Sequence, residues 1–123
     1  MKILIDTHIF LWILSCPEKI NDKRRYELES PANEVFLSAM SIAELMIKSS
    51  IGKINFEFDP LEMTKKMQID ILDFAGMHAM ALGKLPFYHK DPFDRMIIAQ
   101  ALVNKFVLMS DDSKFLKYNC KII

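Results

Sequence analysis

The sequence predicts an α/β fold: a three-layer α/β/α sandwich with a central parallel sheet of four to five strands, in one domain spanning residues 1–123. Short, continuously apolar runs such as Ile3-Leu4-Ile5 have the composition of strands buried on both faces, the habit of parallel sheets. Helix-length segments with capping signals separate these runs, and right-handed crossovers then place helices on both faces of the sheet. Length agrees, because 123 residues supply one hydrophobic core and not two.

Residues 2–5 form the first strand, and Asp6 or Thr7 can cap the helix over 9–14 that Pro17 ends. Residues 21–29, with Asp22, Lys23, Arg24, Arg25, Glu27 and Glu29, read as a solvated helix stopped by Pro31. The second strand is 34–38. Ser41-Ile42-Ala43-Glu44 has the form of a capping box, opening a helix to Ser50 with Gly52 just beyond. A connector over 56–59 leads to Pro60 and a helix over 61–67, then a third strand at 69–74 and a helix at 76–82. After a loop holding Gly83 and Pro86, Asp91 is an N-cap, Pro92 fits the first helical position, and Asp94 complements the helix dipole. The body of that helix, 96–103, is apolar nearly all round and is expected to be buried. A fourth strand at 106–109, a short helix at 114–118 and a fifth strand at 120–123 complete the chain.

Formal net charge is zero, so no blanket attraction to nucleic acid or membrane exists, and any nucleic-acid contact must come from a local patch. No apolar run approaches the roughly 20 residues of a membrane span. Leu14-Ser15-Cys16 resembles the end of a lipoprotein leader in outline, but Asp6 and His8 interrupt the apolar region before it. Cys16 and Cys120 lack metal-ligand spacing and read as reduced structural thiols. The expectation is a cytoplasmic protein without a membrane segment.

Ligand sites in open parallel sheets form outside the carboxyl ends of the strands. Asp6 closes the first strand, Glu44 lies in the first turn of the helix after the second, and Asp112 follows the fourth. These fall on one edge. Asp94 opens the helix before the fourth strand, and a purely local rule sets it on the opposite edge unless the loop over 83–91 carries the chain back. Each acid also has a local explanation: Asp6 and Asp112 as caps, Asp94 as a dipole partner. Glu44 could pair with Ser41 or with Lys48, the latter worth only about 0.2–0.5 kcal/mol. Were all four to converge, they could not all stay ionised without a counter-charge. Hard oxygen donors with no His/Cys cluster suit Mg²⁺ or Mn²⁺ better than Zn²⁺. Carboxylate-held divalent ions are a standard device for phosphodiester hydrolysis.

The same residues resemble the motifs of PIN-domain nucleases, most closely the VapC-type toxins of type II toxin–antitoxin pairs. Ile3-Leu4-Ile5-Asp6-Thr7-His8 resembles the family's opening strand and first acid. The stretch from Ser38 to Glu44, with Ile47-Lys48 and Gly52-Lys53, resembles the second acidic motif. His89-Lys90-Asp91-Pro92-Phe93-Asp94-Arg95, with Ile98-Ala99-Gln100-Ala101, resembles the third. Leu108-Met109-Ser110-Asp111-Asp112, with Phe115, resembles the fourth. Two departures are Ala43, where a tryptophan is common, and Ser110 for the commoner threonine.

The resemblance implies a PIN-like fold in which the third acid joins the others. It implies Asp6, Glu44 and Asp94 as metal ligands and Asp112 as a fourth acid acting through water. Asp111 is the neighbouring alternative, and the offset of Phe115 favours Asp112. Thr7, Ser110 and Asp91 would support the cluster by hydrogen bonding. Arg95, Lys48 and His89 are candidate substrate contacts, with Lys53, Lys90 and Lys114 nearby in sequence. The implied protein is an Mg²⁺- or Mn²⁺-dependent endoribonuclease with an RNA substrate, a cognate protein antitoxin and a homodimeric state. Phe10, Trp12 and Ile13 are candidates for a partner surface. Two alternatives stand beside it. A haloacid-dehalogenase-like phosphatase would use Asp6 as nucleophile, but wants a second Asp where His8 stands. A catalytically silent PIN-like subunit would bind RNA or a partner without chemistry.

Overall fold

Alternate residues of each strand enter different cores, which makes the sheet the middle layer of the protein. The computed structural model describes residues 1–123. Strands β1 (Lys2–Ile5), β2 (Glu34–Ser38), β3 (Asp70–Leu72) and β4 (Val107–Met109) pair in parallel in the order β3-β2-β1-β4. Ile3, Ile5, Val35, Leu37 and Met109 join one hydrophobic cluster, whereas Leu4 and Leu108 join the other, with Phe36 against it. This is period-two alternation with both faces apolar, and it explains the continuous hydrophobic runs. Leu4, Ile5 and Leu108 are fully buried, each contributing about 1.5–3 kcal/mol of transfer free energy.

On the first face lie α1 (Thr7–Ser15), through Ile9 and Phe10, and α3 (Ala39–Ser50), through Leu45. Leu28 of α2 (Asp22–Glu29) and Met63 of α4 (Pro60–Lys66) close its margin. On the second face lies α6 (Pro92–Asn104), through Ile97, Ile98 and Ala101, together with Phe115 and Tyr118 at the 3-10 turn Ser113–Lys117. The short α5 (Gly76–Ala81) packs beside α6.

Register puts the candidate residues on one level. Ile5 pairs with Leu37 on one side and Met109 on the other, so Asp6, Ser38 and Ser110 leave the sheet together at its carboxyl edge. The chain steps from β1 to β2 to β3 in one direction, and β4 lies on the other side of β1. Beside β1 the order therefore reverses, which is where a crevice opens in such sheets.

Asp94 joins that edge for a reason opposite to the local rule. Helix α6 runs into the amino end of β4 through Lys105 and Phe106, with Lys105 left-handed at φ 56°. A helix feeding a parallel strand this directly runs antiparallel to it. Its 13 residues, about 20 Å of helix, thus begin at the carboxyl edge. Gln100, fully buried, fixes it there: its side-chain oxygen accepts from Ser38 Oγ, and its Nε2 donates to the Asp73 carbonyl at 3.2 Å.

Two local expectations change. The N-cap of α3 is Ser38, whose Oγ accepts from the Met40 amide at 3.0 Å, so Ser41 and Glu44 lie inside the helix and form no capping box. The expected fifth strand is a single parallel bridge between Leu108 and Ile122, leaving a four-stranded sheet. Cys16 and Cys120 are free thiols, and no helix is long and apolar enough to cross a membrane.

Candidate metal centre

Asp6 is the N-cap of α1. Its Oδ1 accepts from the Ile9 amide at 2.8 Å, so local capping chemistry aims a buried carboxylate across the strand end. Burial pushes its pKa up, opposed by the Ser110 hydroxyl, the Ile9 amide, and the charges of His8 and Arg24. Asp6 lines a cleft of about 310 Å³ with Asp94 and Asp112, walled by His8, Trp12, Asp111 and Phe115. A larger cavity of about 650 Å³ lies elsewhere, against Ile13, Leu28, Val35 and Ile69. The smaller cleft is the chemical one, because the acids meet there.

Glu44 is equally buried, and its two oxygens are differently held. Thr7 Oγ1 donates to Oε1 at 2.8 Å, and the Ser41 hydroxyl, 2.9 Å from Thr7 Oγ1, donates in turn to Thr7. Lys48 Nζ, one turn along α3, donates to Oε2 at 2.6 Å. The hydrogen bond to Glu44 raises the Lys48 pKa against the effect of burial, and the charges of Glu44, Asp91 and Asp94 add to it.

Asp94 has no such partner. Burial pushes its pKa up to about 6, and the negative charges of Asp91, Glu44 and Asp112 add to that, partly offset by His89. Asp91 is the N-cap of α6, its Oδ1 accepting from the amides of Phe93 at 2.8 Å and Asp94 at 3.4 Å. The cap so fixes the turn from which Asp94 projects.

Asp112 caps the last 3-10 turn, with Oδ1 accepting from the Lys114 amide at 2.9 Å. Its Oδ2 is 3.1 Å from His89 Nε2. Burial acts to raise this carboxyl, but the Lys114 amide, His89 and the Lys114 charge outweigh it and hold the pKa below its usual value. Ser110 Oγ accepts from the Asp112 amide at 3.1 Å, tying the strand end to this turn.

The basic candidates separate. Arg95 is turned to its own loop: its guanidinium donates to the carbonyls of Pro86 at 3.1 Å and Leu85 at 3.3 Å and lies 4.4 Å over the Phe87 ring. Lys53, Lys90 and Lys114 are exposed, and Phe10 belongs to the core, while Trp12 faces the cleft. Arg24, read as part of a solvated helix, reaches the site instead. It donates to Asp111 Oδ1 at 3.0 Å and to the Ser110 carbonyl at 2.9 Å. Asp111 is therefore engaged by an arginine, whereas Asp112 faces Asp94 across the cleft.

Ligand atoms of His89, Asp94 and Asp112 lie within 4.8 Å of one another, close enough to share one ion. With Asp6 in the same cleft and Glu44 acting on Asp94, the donors are carboxylate oxygens, one of them facing the His89 imidazole. That set fits a hard divalent cation such as Mg²⁺ or Mn²⁺.

The PIN domain family model matches residues 3–119. No curated protein matches the chain. Among solved structures, a chain of VapBC2 from Rickettsia felis, bound to a DNA fragment from its promoter, superposes with TM-score 0.74 at 19% identity, covering 100% of this chain and 98% of that one. VapBC-1 from nontypeable Haemophilus influenzae gives TM-score 0.71 at 20% identity, covering 100% and 97%. A toxin–antitoxin complex from Klebsiella pneumoniae gives 0.65 at 18% identity, covering 98% and 94%. At these identities the likeness is one of fold.

Proposed function

This chain belongs to the PIN-domain family, and on that premise we propose that it is a metal-dependent endoribonuclease, the toxin of a type II toxin–antitoxin pair. One observation carries the reading: Asp6, Asp94 and Asp112 share a single cleft, and Asp94 has its pKa pushed up to about 6 by burial and like charge. Such crowding is costly unless a cation offsets it. Perturbed acids gathered in a cleft are a marker of function more than of stability.

In this reading Asp6, Glu44 and Asp94 hold Mg²⁺ or Mn²⁺ and Asp112 assists through water. When bound, the ion activates water and stabilises charge on the phosphodiester. The chain's own groups prepare the site for this. Thr7 and Lys48 hold the two oxygens of Glu44, while the Ile9 amide holds Asp6. Arg24 secures the turn that carries Asp111 and Asp112. Exposed Lys53, Lys90 and Lys114 are available to RNA phosphates, a contact that positions substrate without reading sequence.

The partner reading draws on the structural relatives, one of which is itself described as a toxin–antitoxin complex. A protein antitoxin, a homodimeric state and a cytoplasmic setting belong to the same proposal. Incubating purified protein with end-labelled total RNA, with Mn²⁺ or Mg²⁺, with chelator, and with Asp94→Asn in parallel, tests it. Discrete metal-dependent fragments absent from the variant are expected. Equal cleavage by both proteins would show that the activity belongs to another nuclease or another site.

A further inference from the structure

We propose that His89 is a positioning residue, whose imidazole fixes the Asp112 carboxylate for the metal centre, and that Tyr118 and Phe115 fix the imidazole. This rests on the metal reading above and assigns part of the centre to a group that is neither an acid nor a substrate contact.

His89 is 4% exposed and both its ring nitrogens are engaged. Nε2 faces Asp112 Oδ2 at 3.1 Å, and Nδ1 faces Tyr118 Oη at 3.1 Å. A carboxylate only accepts, so the proton on Nε2 points at Asp112, and in the neutral ring Nδ1 accepts from the Tyr118 hydroxyl. The ring is also stacked, 4.5 Å from Phe115 at 25° and 5.5 Å from Tyr118 at 22° between planes. Orientation is therefore determined by two hydrogen bonds and two aromatic contacts.

Asp112 needs this help more than the other acids. Its side chain is 39% exposed, against 4% for that of His89, and Oδ1 is already committed to the Lys114 amide. With Oδ2 held as well, the carboxylate has one orientation. Without His89, Oδ2 would be free to turn toward solvent, and an ion would have to order it. Partners of this kind around metal ligands typically govern metal affinity by about 10–100-fold.

The test measures Mn²⁺ affinity by calorimetric titration of the full chain, on wild type, His89→Gln and His89→Phe. A glutamine amide reaches the place of Nε2 and keeps the donor; phenylalanine keeps the stacking and loses the donor. Positioning predicts that His89→Phe weakens Mn²⁺ at least about tenfold while His89→Gln stays within about threefold of wild type. Retained affinity in His89→Phe with loss in His89→Gln overturns the proposal in favour of packing. A ¹⁴N coupling in the pulsed EPR spectrum of wild type with Mn²⁺ overturns it in favour of direct ligation by the imidazole. If His89→Phe has no cooperative unfolding transition, Tyr118→Phe replaces it. That variant removes the hydroxyl bound to Nδ1 and is expected to lower affinity by about threefold, whereas an unchanged affinity counts against the proposal. Wild type that binds no Mn²⁺ removes the metal reading and this inference together. Normal binding by wild type and by both His89 variants removes this inference alone.

Discussion

Lys48 Nζ lies 2.6 Å from Glu44 Oε2, so a buried acid beside the cleft carries a counter-charge supplied one turn along its own helix. Between the bond to Thr7 and this ion pair, Glu44 is satisfied in a way that Asp94 is not. The two acids should therefore respond in opposite ways to substitution.

Lys48→Met should destabilise the metal-free protein, because it leaves the buried Glu44 carboxyl with Thr7 as its one partner. Breaking fully buried pairs costs about 3–5 kcal/mol, but Lys48 is 38% exposed, so a loss of about 1–2 kcal/mol is expected. Urea unfolding in chelator measures it, and added Mn²⁺ should recover part of the loss. An unchanged midpoint would mean that water compensates Glu44 in place of the lysine.

Asp94→Asn should abolish activity while raising metal-free stability at neutral pH. On the proposed role as a metal ligand, losing it would remove several kcal/mol of transition-state stabilisation and lower kcat/KM by at least about 100-fold. The same change removes a carboxylate crowded by Asp91, Glu44 and Asp112. Paired cleavage assays and unfolding curves test both signs, and a destabilised variant would contradict the crowding argument.

The pH dependence of that stability has a definite direction. The folded pKa of Asp94 is raised from 3.8 to about 6, so between these values the native state keeps a proton that the unfolded chain has lost. The stability Asp94 contributes is thus fully present below about pH 3.8 and is lost as pH rises through about 6. Wild type minus Asp94→Asn, both in chelator, should show stability falling across that window. Metal binding should also release a proton below about pH 6, visible as a buffer-dependent binding enthalpy.

Arg24→Ala should reduce activity with only a modest loss of stability. The guanidinium secures Ser110 and Asp111 from a separate helix, and loss of such support typically costs about 10–100-fold. Asp111→Asn should cost far less than Asp112→Asn, since Asp111 faces the arginine. Steady-state cleavage by the three variants decides this, and equal losses for Asp111→Asn and Asp112→Asn would move the fourth acid.

Gln100→Ala should be the most destabilising of these changes, by about 2–4 kcal/mol, since it opens a cavity and leaves the Ser38 hydroxyl and Asp73 carbonyl without their partner. Thermal unfolding measures it. A loss under about 1 kcal/mol would mean that water or a neighbour restores both bonds.

Much of the architecture was legible because buried parallel strands are written as continuous apolar runs. Ile3-Leu4-Ile5 and Val35-Phe36-Leu37 serve two cores at once, and no other element needs that composition. Short-range signals misled where two candidates competed. Ser38 and Ser41 can each cap a helix, and the strand end decided for Ser38. Residues 120–123 have the composition of a strand, but only one bridge forms at Ile122. A purely local rule put Asp94 on the opposite edge because its helix precedes a strand; that helix runs antiparallel to β4 and so begins at the carboxyl edge, where the family resemblance also set it. The roles of Arg24 and Tyr118 were not legible, because each depends on a residue far along the chain that only tertiary packing brings near. The charge run around Arg24 is solvated as expected, and Arg24 turns inward from it.

The acids come from segments that the chain delivers far apart: Asp6 near the start, Glu44 and Asp94 between, and Asp112 beyond the last strand. During translation, a chain that has emerged only as far as Asp94 holds three of the acids but no β4, and β4 lies directly against β1. Asp112, its capping turn, and Tyr118 against His89 arrive later still. On the proposed function, such a protein would be made on an RNA template by an RNA machine, both of them potential targets. Order of synthesis keeps this centre incomplete until residue 118 has left the ribosome.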